Sequence, residues 1–528
     1  MRLFVSTQPS HTLSPSSVSR TTRALPTWAC LLVFAAVALV SRLPQLFSRN
    51  LLLEGDECIL GLMGMHLAKR REFPIFFYGQ RYGLSIIEAP AAAVSFLIAG
   101  AGPVPLKLAM LSLWTAGTAF YFLAFSRVLG IARSFWITLL LVLMPAWAAT
   151  SMKAWSGYIT AYCLTGAVIY LIAANENRKR LPWFVAGATS ALVYFAHPLW
   201  LPGLFPIVAY FLVSSRRLSC WMSYLTGAAI VGGAMIGVRV FWLARAVESW
   251  TGPPVGDHHP LASIPRVLTQ IYVDLTGAYY FGEALWTGPF TAAVAYLWFG
   301  ALVLATLLQL YRIGRRQYLP WSHLLFLSVA ATLLANWILL DWRDARYVLA
   351  VNAPLAFLIG IEAFDFADRY GVREGRRLAA VVLVLVLQAA AMTEFANYKY
   401  MWWTNPPHGP TESRTMQTLV GHLRARGVTH VYAMNALLQW PITFYSREAV
   451  IARWKADVDR YPPYIHSVDR ALDRGQPVAL VGYVGYTYGL ETMVADPHSI
   501  ITVDNKYFIY FGADKDLLRK AGFRITGH

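Results

Sequence analysis

The chain has 528 residues and a formal net charge of +17, yet only 14% of its residues are charged, 57% are hydrophobic and the mean hydropathy is +0.46. An ordinary globular domain carries about a quarter charged residues, so long apolar runs have replaced the usual solvated surface. The basic excess lies mostly in short connectors between those runs, which argues against nucleic acid as a partner and for a polytopic membrane protein.

Residues 1–25 are rich in Ser, Thr and Pro with Arg2, Arg20 and Arg23, and are predicted to be a disordered cytoplasmic tail. The apolar run 27–47 is too long for a signal-peptide core and reads as an uncleaved first span with its N-terminus inside. Further apolar segments fall at 105–126, 131–149, 157–174, 182–196, 198–214, 219–244, 287–311, 320–340, 346–366 and 378–397. Basic connectors at Arg127/Arg133, Arg178 to Arg180, Arg216-Arg217, Arg312/Arg315/Arg316 and Arg369/Arg373/Arg376/Arg377 recur every second gap, so all can face the cytoplasm. The loops 146–157, 195–200, 246–286 and 340–346, and everything after 398, are then external.

One apolar stretch breaks this alternation. Counting 86–101 as a span would turn every later basic connector outward, and it is short, with Glu88 and Pro90 near its start. A span needs about twenty residues, so the stretch is predicted to dip into the membrane from outside. The expected architecture is a mainly α bundle of about eleven spans plus this dipping helix, over 26–397, with a first external loop at 48–104.

After 398 the texture changes. Residues 411–427 have helical periodicity and stop at Gly427, and β-rich runs follow at HVYAM, EAVIA, QPVALVGYVG and IITVDNKYFIYFG. Helical candidates at 464–474 and 486–496 alternate with them, predicting a small external α/β domain over 398–528. Cys30, Cys58, Cys163 and Cys220 are scattered, with neither metal-ligand spacing nor a disulfide framework. No Asn-x-Ser/Thr sequon occurs, which favours a bacterial inner membrane with a periplasmic C-terminal domain.

The external loops hold nearly all the unusual polar residues. The first carries Asp56-Glu57 and the cluster Tyr78 to Tyr82, the next carries Lys153 to Tyr158, and later ones carry His197 and the run Asp341 to Tyr347. Carboxylates, cations and aromatics at one membrane face suit transfer of a sugar from a polyprenyl phosphate. Phosphate leaves without a general acid if cations neutralise it, whereas the acceptor needs a base within hydrogen-bond reach. The candidate phosphate cations are Arg81, Lys153 and Arg346; the candidate substrate contacts are Tyr78, Gln80, Tyr82, Glu88, Trp155, Tyr158 and His197.

The stretch GDECILGLMGMHLAKRREFPIFFYGQRYGLSIIEA resembles the first-loop signature of the GT-C glycosyltransferases, most closely the bacterial family 39-like members related to protein O-mannosyltransferases and lipid A aminoarabinose transferases. KAWSGY, RDARYVLAVNAPLAFLIG, ITFYSREAVIA and RYPPY add weaker similarities. The resemblance implies that Asp56 is the catalytic carboxylate and Glu57 its support. Ser156 and Arg70-Arg71 stand where relatives commonly carry Gly, which bears on the shape of the acceptor pocket.

Plainer roles compete. The acidic pair suits a helix N-terminus, Arg343 and Arg346 suit an interface anchor, His66 and His197 suit packing, and Arg460, Pro462 and Pro463 suit a turn. Asp56-Glu57 and Asp341/Asp344 admit Mg or Mn, but no cage is evident and no cofactor is required in this reading. The expected function is an inverting glycosyltransferase that moves a sugar from a polyprenyl-phosphate donor to a glycan, lipid or protein acceptor outside the membrane. The alternatives are a transporter or flippase for a lipid-linked sugar, which favours midplane charges and matching halves, or a noncatalytic cell-envelope assembly protein.

Overall fold

A computed structural model describes residues 25–48, 51, 53–80, 82–175, 179–243, 265, 269, 271, 288–317, 320–340, 345–400, 412–456, 459–486, 490–494 and 499–525. The candidate Arg81, the run 341–344 and most of the loop 246–286 lie outside the described residues. Helices α1 (Thr27–Leu46), α2 (Gly55–Ala68), α3 (Glu88–Ala99), α4 (Pro103–Leu129), α5 (Ile131–Val142), α6 (Trp147–Thr150), α7 (Tyr158–Ala173) and α8 (Arg180–Ala196) build the first half. Helices α9 (Leu201–Ser215), α10 (Leu218–Leu243), α11 (Pro289–Gly314), α12 (Pro320–Leu340), α13 (Asn352–Arg369) and α14 (Glu374–Tyr400) follow.

Every one of the eleven apolar segments expected to span falls on a helix, and among the described residues eight helices are long and apolar enough to cross a membrane. The rest are shorter. Helix α5 has 12 residues and stops at Val142 rather than 149 because Pro145 cannot continue its hydrogen-bond ladder. Helix α3 has 12 residues and ends at Gly100 with φ +78°. At 1.5 Å per residue it reaches about 18 Å, well short of a hydrocarbon core of about 30 Å.

Helix α2 is apolar nearly all round because it is enclosed on several sides. A Cβ on Gly64 would lie 2.8 Å from Ala92 of α3, and one on Gly61 would lie 2.4 Å from the Phe444 ring. Buried Arg42 of α1 fixes the loop after α5: it donates to the carbonyls of Val142 (2.8 Å) and Trp147 (3.1 Å) and to Ser151 Oγ (3.2 Å). Its positive charge thus meets the negative end of α5.

The C-terminal region contains α15 (Glu412–Ala425), β1 (His430–Ala433), α16 (Gln439–Tyr445), β2 (Ile451–Arg453), α17 (Pro462–Asp473), β3 (Val478–Tyr483), α18 (Leu490–Met493), β4 (Ile500–Val503), β5 (Tyr507–Phe511) and α19 (Lys515–Lys520). The strands form one sheet in the order β2-β1-β3-β5-β4, parallel through β2, β1 and β3 and antiparallel beyond. Both faces are covered, so successive residues alternate between two cores: Val431, Ala479 and Val481 enter one, Tyr432, Val478 and Leu480 the other. The run IITVDNKYFIYFG is a hairpin whose turn residues Asp504 and Asn505 take positive φ, 50° and 53°. Helix α16 has no counterpart in the sequence reading; at seven residues it carries too little periodicity to stand out.

One buried ion pair locks this region. Arg453 at the end of β2 grips both oxygens of Asp469 on α17 (2.6 and 2.5 Å) and donates to the carbonyls of Ala456 and Arg524. Arg453→Ala strands the Asp469 charge and costs about 3–5 kcal/mol. The expected outcome is selective proteolysis after residue 411 under conditions that leave the wild-type chain intact; equal resistance contradicts the role.

Candidate active site

The site is organised by the head of α2. Glu54, Asp56 and Glu57 lie within one turn, and the Glu57 carboxylate accepts the Glu54 N–H (3.3 Å) as part of a capping box. Glu57 is fully buried and saturated. It pairs with Lys107 of α4, lies 3.4 Å from Lys153 Nζ and accepts the Ala154 N–H at 3.2 Å. Burial opposes its charge, but the two lysines prevail and hold its pKa at about 2. Lys153 also pairs with Glu54, whose other oxygen lies 3.5 Å from Trp155 Nε1. Glu57 and Lys153, expected as catalytic support and phosphate cation, are therefore engaged with each other in a buried cluster joining α2, α4 and the loop after α6.

Asp56 faces elsewhere. Its carboxylate accepts from Arg460 at 2.8 Å, with the two side chains 22% and 12% exposed, whereas Glu57 and Lys107 are 0% and 3% exposed. Arg460 comes from the turn before α17 and is locally built. Its N–H donates to the buried Asp459 carboxylate (2.6 Å), its guanidinium lies 5.6 Å from the Phe77 ring centre, and its backbone packs on Gly79. Gly79 has φ +67°, and a Cβ there would come within 2.6 Å of Arg460 Cα, so the FFYGQ and RYPPY segments fit only with glycine at this point.

Tyr82 borders the same space. Its pKa is raised by the protein packed around it and by Tyr347, while Arg346 and Arg460 pull it down and Asp56 pushes it up, which places all five groups in one electrostatic neighbourhood. Tyr82 remains 41% exposed. Arg346 lies 5.6 Å from the Trp155 ring centre, and His197 lies edge-on to Tyr82 at 6.0 Å and 4.1 Å from the Tyr158 ring. Burial and the Arg346 charge lower the His197 pKa to about 3, so its imidazole is neutral. Asp56, Tyr82, Trp155, Tyr158, His197 and Arg346 are thus brought near one another.

Other expected site residues have different work. Buried Glu88 accepts the N–H groups of Gly157 (3.2 Å) and Thr160 (3.0 Å), capping α7 from α3. Gln80 Oε1 accepts from Ser156 Oγ at 2.6 Å, tying the first loop to the WSGY segment. Tyr78 stacks on Tyr461 at 4.6 Å and hydrogen-bonds His66 Nδ1 at 2.8 Å. His66 is a hub rather than apolar packing: its Nε2 also meets Glu448 (2.9 Å) and Tyr464 (3.1 Å) of the C-terminal region. Arg460, read from sequence as a turn former, reaches Asp56; Lys107 and Glu448 were not anticipated. The RYPPY similarity marks the Arg460 turn and ITFYSREAVIA contains Glu448, but nothing in sequence marks Lys107. Among the described residues no three His, Cys, Asp or Glu side chains are grouped to hold a metal.

No protein-family model matches the sequence, and no curated protein does. Solved structures do match. ArnT from Cupriavidus metallidurans in the apo state superposes with a TM-score of 0.57 at 14% identity, over 93% of this chain and 99% of that one. ArnT bound to undecaprenyl phosphate gives 0.56 at 12% identity, covering 92% and 98%. The Archaeoglobus fulgidus oligosaccharyltransferase in its apo form gives 0.50 at 12% identity, covering 95% and 73%. The chain has the GT-C glycosyltransferase fold. Within this fold, the head of α2 and the turn before α17 come from distant parts of the sequence and meet at Asp56.

The His66 hub makes that meeting pH-dependent. It faces Glu72, Glu448, Tyr78, Tyr461 and Tyr464, with Lys69 and Arg71 also on Glu448. Burial works against a charged His66, but Glu448 and Glu72 outweigh it and raise its pKa; burial also opposes the Glu448 charge, yet His66 and Lys69 bring it to about 2. The His66 contribution to stability is complete below the ordinary His pKa of about 6.5 and is lost as pH rises through the raised value. The Glu448 contribution is present above about 4.3 and is lost as pH falls toward its depressed value. The expected result is a thermal midpoint that falls between pH 6 and pH 8.5 in wild type and falls less in His66→Gln. Equal slopes in the two proteins contradict the assignment.

Proposed function

We propose that this chain is an inverting, membrane-embedded glycosyltransferase that uses a polyprenyl-phosphate sugar. The observation that carries the reading is the division of labour on α2: Glu57 is sealed between two lysines, while Asp56, one residue earlier, opens toward Arg460, Tyr82 and Arg346. The GT-C fold supports it, and one solved neighbour, ArnT, is bound to undecaprenyl phosphate.

In this reading the acceptor hydroxyl or amine hydrogen-bonds to Asp56. Its heteroatom attacks the anomeric carbon opposite the phosphate, the carbon–oxygen bond to phosphate breaks, and its electron pair leaves with the lipid phosphate. The acceptor proton passes to Asp56. A single displacement inverts the anomeric centre. Arg346 lies where it can neutralise the leaving phosphate, and Arg81 remains a candidate from sequence. Tyr82 offers a ring face for the sugar, with buried Trp155, Tyr158 and His197 behind it. Lys153 and Glu57 act as the buried support that fixes α2, and Tyr78, Gln80 and Glu88 hold the loops around the site.

No divalent cation is required in this reading, since arginines can neutralise the phosphate. The Glu57 oxygens are already engaged by Lys107, Lys153 and two backbone N–H groups. The acceptor is a glycan, a lipid or a protein. We place the chain in a bacterial inner membrane with a cytoplasmic N-terminus, the site and the 398–528 region on the periplasmic side.

Incubating the purified chain with labelled undecaprenyl-phosphate sugars and envelope acceptors tests the reading. Wild type is expected to release lipid phosphate, also in the presence of EDTA. Asp56→Asn should lower turnover by about 10²–10⁴-fold, the usual worth of a positioned base, with the thermal midpoint unchanged. Retained turnover in Asp56→Asn, or none in wild type with any such donor, contradicts the proposal.

A further inference from the structure

The pair between Asp56 and Arg460 is a problem for the site as well as part of it. A carboxylate that must take a proton from an acceptor is already occupied by a guanidinium from the far end of the chain. Two ion pairs at the head of α2 can be compared directly. The Glu57–Lys107 pair is buried at 0% and 3% exposure and is further fixed by Lys153 and backbone N–H groups. Exchange there would leave a charge unpaired in an apolar bundle. The Asp56–Arg460 pair is only partly buried, at 22% and 12%, with Nη1 on the Asp56 carboxylate at 2.8 Å. Exchange there costs less than in the sealed pair, and a phosphate that accepts two parallel N–H bonds is the better partner for arginine.

The backbone of Arg460 is held firmly by the Asp459 carboxylate, by Gly79 and by the Tyr461–Tyr78 stack. The exchange is therefore one of the guanidinium, at the end of the side chain, and not of the backbone. Its neighbourhood carries a second cation: Arg346 and Arg460 both act on Tyr82.

We propose that Arg460 is a donor-binding residue supplied by the C-terminal region, which holds Asp56 until the anionic phosphate of a polyprenyl-phosphate donor draws its guanidinium away. Donor binding then frees Asp56 for the acceptor, so the donor binds first. The C-terminal region becomes part of the site rather than a cover over it. This rests on the glycosyltransferase reading, which supplies the lipid phosphate.

The test is the affinity of the full chain in detergent for undecaprenyl phosphate, read by tryptophan fluorescence, with thermal midpoints measured alongside. Arg460→Gln should weaken binding by about tenfold without lowering the midpoint, and Arg460→Lys should recover part of the loss. Asp56→Asn removes the competing carboxylate and should tighten binding by up to about fivefold. If Arg460→Gln does not fold, the Asp56→Asn arm still decides. Wild-type binding that neither Arg460→Gln nor Asp56→Asn changes overturns the Arg460 proposal and leaves the glycosyltransferase reading standing. Failure of wild type to bind undecaprenyl phosphate overturns both.

Discussion

The structure around the candidate site depends on the burial of the Glu57 carboxylate between Lys107 and Lys153. A charge at that depth must be paired, and breaking such a pair costs about 3–5 kcal/mol, so the rotation of α2 about its own axis is fixed. Neighbouring positions on a helix are about 100° apart, and Asp56 is thereby turned off the lysines and toward Arg460. The same pair ties α4 and the loop holding Trp155 to α2. Acidic neighbours on one turn of helix are separated into a structural residue and a chemical one by which side meets the lysines.

The second constraint is how closely the C-terminal region approaches the first loop. Glycines permit it at three points: Gly55 against Leu437, Gly61 against the Phe444 ring and Gly79 against Arg460. Any Cβ at Gly61 or Gly79 would enter its neighbour, and Tyr78 stacks on Tyr461 beside them. The small-residue run GLMGMH in α2 therefore marks a surface packed against another part of the chain. It is also why α2 has no polar face despite lying in a loop between longer helices.

Much of this organisation is legible in the sequence because it is local. Hydropathy finds the segments that become helices, Gly427 marks a helix end, and the stretch 86–101 is visibly too short to span, whereas IITVDNKYFIYFG reads as one run and folds as a hairpin. Charge alternation expects the loops of Asp56, Tyr82, Trp155, Tyr158, His197 and Arg346 on one face, and these residues lie near one another. Which partner each residue meets is a different kind of information. Arg460 and Asp56 are 404 positions apart, and His66 and Glu448 are 382 apart, so no periodicity or spacing links them. Spacing alone does not separate Glu57 from Asp56, because Lys107, which pairs with Glu57, lies within an apolar run of another helix.

The central claim is that the first loop and the C-terminal region form one site around a lipid phosphate. The most direct measurement is an experimental structure of the chain with undecaprenyl phosphate bound. The account predicts phosphate oxygens within about 3 Å of the Arg460 and Arg346 guanidinium groups, beside Tyr82, with Asp56 released from Arg460. A phosphate bound away from both arginines, with the Asp56–Arg460 pair intact, would contradict it.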